Sequence, residues 1–425
     1  MKFAHLALAA TALATCSTAT LADTLVLTAD AMIDVTSGRL VEDPVVTIVD
    51  GVIESVATGE APQVEGAEYI DLAGKTILPG LIDMHVHLTS DHDVQGYGAL
   101  AISDERAVIS GVVNARTTLM VGITTVRNVG ARSYGDIDLR NAINEGDIPG
   151  PRLFVSGPPI GITGGHCADN NLLPPEYRAS GENIADGPWA ARAAVRKNNK
   201  FGVDLIKTCS TGGVLSKGTK VGAPQYTLEE LTALTEEAHS HGLKVASHAH
   251  GAEGIVNALK AGVDTIEHAS FIDDEGIRLA KEKGAFLSMD IYVTEFILGA
   301  GAQLGILPES LEKERMTGKV QRENFRKAHQ AGVKMVLGTD AGVYPHGENA
   351  RQLSRMVQFG MTPAEALRAA TSNAAEALGQ KGNFGVIAPR ASADIIAVDG
   401  NPLADIALLE NVTFVMKQGD VYKSE

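Results

Sequence analysis

The sequence predicts an α/β fold: a (β/α)8 TIM barrel with a small β-sandwich domain formed from both termini. Three observations predict it. Eight apolar runs alternate with helical stretches through the middle of the chain. Both ends carry short β-like runs punctuated by Gly and Asp. The chain has 425 residues, 44% of them apolar, enough for one large barrel with an appendage.

Residues 24 to 80 contain "TLVLTADAMIDV", "PVVTIVDGVIESVA" and "EYIDLAGKTILP". The C-terminus repeats that texture in "ADIIAVDG" and "VTFVMKQGDVY". Residues 23–79 and 383–425 are therefore expected to pair as one sandwich, leaving 80–382 for the barrel. The barrel runs are "LIDMHVHL", "ITTVRNVG", "RLFVSG", "VDLIKTCS", "LKVASHAH", "VDTIEHAS", "AFLSMDIY" and "KMVLGTD". Amphipathic stretches such as "TLEELTALTEEAHSHG" and "AEGIVNALKAG" lie between them. Thr362-Pro363-Ala364-Glu365 is a capping box with Pro at the first helical position. The longest irregular segment, about Gly157 to Pro188, follows the third run; in a barrel such a loop covers the C-terminal face and builds the substrate site.

The first 22 residues, MKFAHLALAATALATCSTATLA, have one Lys, an Ala/Leu-rich centre and small residues up to Leu21-Ala22. This is the pattern of a secretory signal peptide, so a periplasmic or secreted protein is expected. Lipid anchoring at Cys16 is the second reading, disfavoured because Thr15 is a poor residue before the cysteine. The net charge of -16 argues against nucleic acid as a partner, because phosphate binding needs clustered Lys and Arg. No apolar run reaches membrane-spanning length. Cleavage would leave only Cys167 and Cys209, too few for a disulfide framework. They follow neighbouring strands three and four, so in an oxidising compartment they could pair; two free thiols is the alternative.

His85 and His87 are two apart on strand one and point to the same side. Lys207 lies on strand four, His248 ends strand five, His268 ends strand six and Asp340 ends strand eight. Burying six polar groups for packing alone would be costly. Metal coordination accounts for all of them, since imidazole and carboxylate are good zinc ligands. His250 forms a second HxH with His248, so the ligand on strand five needs care. His92, His239, His241, His329 and His346 fall in predicted loops or solvated helix faces.

The constellation resembles the amidohydrolase superfamily. "PGLIDMHVH" (79–87) with "GTDAG" (338–342) is its signature, and "TSNAAEALG" (371–379) and "ADIIAVDGNPL" (393–403) are similar to its closing segments. One departure is Arg390, where relatives usually have Gly. The resemblance implies the branch with two metals and a carboxylated lysine. His85, His87 and Asp340 would bind the more buried metal and His248 and His268 the more exposed one. Lys207 would bridge both as a carbamate made with carbon dioxide; a free ammonium has no lone pair to offer. It implies zinc as the default metal, with His250 in a supporting role. Deaminases of the superfamily tend to carry Glu three residues after the fifth-strand His; here that residue is Gly251.

The same resemblance implies a reaction: hydrolysis of an amide, with Asp340 as the catalytic base and then acid. "CSTGGVLSKGTKVGAPQYTLEEL" (209–231) and "GITGGHCADN" (161–170) are similar to the branch of Xaa-Pro dipeptidases and hydrolases of N-acyl amino acids, ochratoxin hydrolases among them. In that branch a Tyr after strand four and a His after strand three hold the substrate's free carboxylate. Tyr226 and His166 occupy those positions, although Tyr226 could equally be a packing residue. The expected activity is release of a C-terminal amino acid from a small-molecule substrate with a free carboxylate. Hydrolysis of a cyclic amide or lactone at the same site is the alternative, and a barrel that only binds a ligand is the non-enzymatic one. A homo-oligomer is implied by the resemblance alone.

Overall fold

The computed structural model describes residues 23–167, 171–177 and 181–425. The leader expected over 1–22, with Cys16, lies outside the described residues. So does part of the long loop after the third run.

The chain opens with β1 (Thr24–Asp34), β2 (Arg39–Glu42), β3 (Pro44–Val49), β4 (Val52–Thr58) and β5 (Glu68–Pro79). It closes with β14 (Ile395–Asp399), β15 (Phe414–Lys417) and β16 (Asp420–Ser424). These eight strands form a sheet in the order β16-β15-β14-β5-β1-β3-β4, with β2 on β1. The two ends are expected to pair as one sandwich. In the structure β14 pairs with β5, antiparallel, Ile395 opposite Pro79 through Asp399 opposite Lys75. The two ends thus share main-chain hydrogen bonds in one sheet. Leu27, Ile48 and Ile77 from the N-terminal part pack with Ile395, Phe414 and Met416 from the C-terminal part in one cluster.

All eight central runs contain strands, all parallel. They are β6 (Leu81–Val86), β7 (Ile123–Asn128), β8 (Arg152–Val155), β9 (Leu205–Cys209), β10 (Lys244–Ala249), β11 (Thr265–His268), β12 (Phe286–Ser288) and β13 (Met335–Val336). They fall into a three-stranded sheet, β6-β7-β8, and a five-stranded sheet, β13-β12-β11-β10-β9. Main-chain hydrogen bonds cross both seams. Ile160 N donates to Lys207 O at 2.8 Å, and Met84 N donates to Leu337 O at 2.8 Å. Strands such as β6, β7 and β9 are buried along their length, as parallel strands covered on both faces should be.

The helices are α1 (Asp104–Met120), α2 (Gly135–Asn144), α3 (Pro188–Phe201), α4 (Leu228–Ser240), α5 (Ala252–Ala261), α6 (Asp274–Lys283), α7 (Val293–Ala300), α8 (Pro308–Gln330), α9 (Arg351–Gln358), α10 (Pro363–Ala369) and α11 (Ser372–Ala377). Their ends follow the local chemistry. Thr362 and Glu365 make the expected reciprocal capping box with Pro363 inside it. Thr227 and Glu230 do the same for α4. None of the helices among the described residues is long and apolar enough to cross a membrane.

Candidate metal centre and substrate cavity

The C-terminal ends of the parallel strands open into a cavity of about 230 Å³. His85, His87, Lys207, His248, His268 and Asp340 all line it, so the structure brings the six sequence-predicted ligands together. Strand alternation explains the placement. His85 and His87 share one side of β6 and its extension, and Lys207 faces inward from β9.

His87 Nε2 lies 3.2 Å from Asp340 Oδ1, and His85 Nε2 lies 3.4 Å from the same oxygen. Asp340 sits at φ 61° and His268 at φ 69°, left-handed conformations that cost non-glycine residues free energy and cluster at functional sites. Burial works against the charge on Asp340, but His85 and His87 outweigh it and hold the carboxyl well below the usual carboxylate range. Burial lowers the pKa of His87, and lowers His248 and His250 far more. These rings are neutral at ordinary pH, with lone pairs available.

Two carboxylates orient the ligand rings. His85 Nδ1 is 3.0 Å from Glu267 Oε2, and His268 Nδ1 is 2.9 Å from Asp290 Oδ1. A carboxylate accepts, so Nδ1 carries the proton and Nε2 keeps its lone pair for the cavity. Glu267 is itself held: Arg127 Nη2 donates to Oε1 at 2.7 Å and Thr265 Oγ1 at 2.6 Å. Burial alone would raise the Glu267 pKa, yet Arg127 and His85 bring it well below the ordinary range. Gln321 Nε2 donates to Asp290 Oδ1 at 2.8 Å. Asp83, fully buried on β6, accepts from Asn349 Nδ2 and Thr339 Oγ1 and ties the segment bearing Asp340 to β6.

Arg127, Glu267, Asp290 and Asp83 were not among the sequence-predicted site residues. A signal was there: each is a charge inside an apolar run, which is costly unless paired. His346 lies in a turn, as expected, but its ring is buried, with Nε2 3.3 Å from His87 O.

Lys207 is 3% exposed, and burial lowers its ammonium to about 8. That admits a neutral amine fraction near neutral pH, the form able to react with carbon dioxide. His248 Nε2 is buried without a hydrogen-bond partner. An orphaned imidazole nitrogen facing other donors suits a cation. His248, His250 and His268 offer ligand atoms within 4.8 Å of one another, as do His85, His87 and Asp340. His250 therefore belongs to the same donor group as His248, although its Nδ1 is engaged by Ser270 Oγ at 2.8 Å.

The two expected carboxylate contacts part company. His166 lines the cavity, its ring centroid 4.1 Å from that of His248 and its Nδ1 2.8 Å from Ser216 Oγ. A Cβ at Gly213 would lie 2.4 Å from the His166 ring, so only glycine leaves room for this seat. Tyr226 is not brought to the cavity. It is 3% exposed in the core, and its hydroxyl donates to Ala185 O at 3.0 Å. Val214, Leu215, Val293 and Ile297 supply apolar wall, with Glu314 and Thr317 beyond them. Cys167 and Cys209 form a disulfide with Cα atoms 5.8 Å apart, and both line the cavity.

Comparison with known proteins gives this geometry its context. Residues 76–422 match the family described as "Amidohydrolase family". An ochratoxinase of Aspergillus niger is 34% identical over 370 residues, covering 82% of this chain and 75% of the relative. The crystal structure of a Xaa-Pro dipeptidase with bound methionine in the active site superposes with a TM-score of 0.90 at 37% identity, covering 95% of this chain and all of the other. A prolidase complexed with N-methylphosphonate-L-proline gives a TM-score of 0.86 at 32% identity, covering 95% of this chain and 100% of that one.

Proposed function

The chain belongs to the amidohydrolase family, and from that premise we propose that it releases a C-terminal amino acid from dipeptides or N-acyl amino acids. It is a hydrolytic enzyme acting on C–N bonds. The family generally uses divalent metals, and the His and Asp groups of the cavity are suited to them. The closed eight-stranded barrel over 80–382, with a terminal β-domain over 23–79 and 383–425, belongs to the same reading. Hydrogen bonds at both seams support it.

One observation carries the proposal. Two sets of cation donors share one cavity with a neutral imidazole, His166, on its wall. Two divalent cations, zinc by default for N and O donors, would be held by His85, His87, Asp340, His248, His268 and a carbamate on Lys207, supplying Lewis acidity and a water acidified to near neutrality. Asp340 stands ionised against His85 and His87, placed to take a proton from the attacking water and return it to the leaving amine. Glu267 and Asp290 keep the ligand tautomers fixed.

Burial, His268 and Lys207 lower His166 to about 3, so it is neutral. In the tautomer whose Nδ1 accepts from Ser216 Oγ, its Nε2–H can donate to a substrate carboxylate. Tyr226 has no part in that contact. The ligand in the prolidase structure, a proline derivative, supports a substrate with a free carboxylate. A periplasmic or secreted setting and a homo-oligomeric state complete the proposal.

The test is amino-acid release from a panel of dipeptides and N-acyl amino acids with zinc and bicarbonate supplied. Release of the C-terminal residue is expected. Inert panel members, together with opening of a cyclic amide or lactone, would overturn it.

A further inference from the structure

The Cys167–Cys209 disulfide stands beside the hydrolytic site without a part in it. Cys209 closes β9, two residues after Lys207 and on the same side of the strand. It is wholly buried. Cys167 is half-buried, next to His166, and also lines the outer part of the cleft. The ligand atoms of His166, Cys209 and His248 all lie within 4.8 Å of one another. His248 Nε2 is buried and has no hydrogen-bond partner. His166 is held in place by Ser216 and by the room at Gly213; as a ligand it takes the tautomer whose Nδ1–H donates to Ser216 Oγ, which leaves Nε2 the lone pair.

A disulfide sulfur is a poor ligand, whereas a thiolate binds soft divalent cations strongly. We propose that reduction of Cys167–Cys209 opens a cation site made of Cys209, His166 and His248, which takes His248 from the hydrolytic centre. The disulfide then has a chemical role: it keeps a thiolate out of a cavity built for hard and borderline donors. A small dithiol supplies the reducing step. It attacks the accessible Cys167 sulfur, the S–S bond breaks, and both cysteines receive an electron and a proton while the dithiol closes to its own cyclic disulfide. Cys209 then loses its proton on binding the cation, as thiols do. His166 is lost to substrate in the same event, so reduction in the presence of excess zinc disables the enzyme at two points.

Cobalt(II) is the probe, because thiolate ligation gives a near-ultraviolet charge-transfer band that imidazole and carboxylate do not. Five full-length proteins are titrated: the disulfide form, the same protein reduced and freed of dithiol, Cys167→Ser, Cys167→Ser/Cys209→Ser, and Cys167→Ser with His166→Gln. The band is expected in the reduced protein and in Cys167→Ser. It is expected to be absent from the disulfide form and from the double variant, which retains Cys16. Adding His166→Gln to Cys167→Ser should weaken cobalt binding at that band by at least about tenfold, no less than the loss of an outer-shell partner costs. No band in reduced protein whose thiols are confirmed by titration would overturn the proposal, as would a band indifferent to His166. The readout needs no substrate, so its failure leaves the hydrolytic reading untouched, and the reduced form needs no substitution that could prevent folding.

Discussion

Glu267 Oε2 lies 3.0 Å from His85 Nδ1, and both residues are buried at the base of the cavity. The other Glu267 oxygen accepts from Arg127, so one ion pair sets the orientation of a proposed metal ligand. Removing the charge of Glu267 while keeping its shape should free the ring to change tautomer. Glu267→Gln is expected to lower metal affinity about 10- to 100-fold with the fold retained. Competition against a chelator measures it. Arg127→Met should behave differently, destabilising the whole protein by about 3–5 kcal/mol because a buried carboxylate loses its partner.

Tyr226 offers a sharp separation of roles. Its hydroxyl satisfies the carbonyl of Ala185 in the core. Tyr226→Phe should cost about 1–3 kcal/mol of stability, the penalty for an unsatisfied buried acceptor. The ratio of activities on carboxylate-bearing and carboxylate-free amides should not move. Loss of that discrimination would return Tyr226 to the substrate site.

His166 should carry the discrimination instead. His166→Ala is expected to lower kcat/KM about 10- to 100-fold on substrates with a free carboxylate, the value of a hydrogen bond to a charged group. Amides lacking the carboxylate should be much less affected. Gly213→Ala should reproduce part of the effect by displacing the ring.

Glu314 predicts a pH dependence. Burial raises its pKa to about 7 from an ordinary 4.5, despite Thr294 nearby. Between those values the folded state binds more protons than the unfolded one, so the Glu314 contribution to stability falls as pH rises through that window. The loss amounts to about 3 kcal/mol at most. Denaturation of wild type and Glu314→Gln from acid to neutral pH tests the sign: the variant should lack this slope.

Arg390 occupies a turn at φ 75°, in the left-handed region that favours glycine. Arg390→Gly should raise stability by about 1 kcal/mol, the strain of a side chain in that conformation. Its backbone N–H to Ile53 O at 2.7 Å should survive the change. A lower midpoint in urea would show that the arginine side chain contributes more than its backbone costs.

What the sequence determined by itself is what local spacing encodes. Alternation along a strand decides which side a residue faces, so His85, His87, Lys207, His248, His268 and Asp340 could be placed at the ends of successive strands from their positions in apolar runs. Capping chemistry is equally local, and the Thr362 box was legible for that reason. Tertiary structure decided what pairs across the chain. Arg127 meets Glu267 across 140 positions, and Asn349 meets Asp83 across 266. Tyr226 is turned inward, its hydroxyl on the carbonyl of Ala185, 41 residues earlier. His346 was buried with its Nε2 against His87 O, and the two termini joined in one sheet. Spacing carries the side on which a residue lies. The partner waiting there is a property of the folded chain, because hydrogen bonds and ion pairs depend on distance in space and leave no period in the sequence.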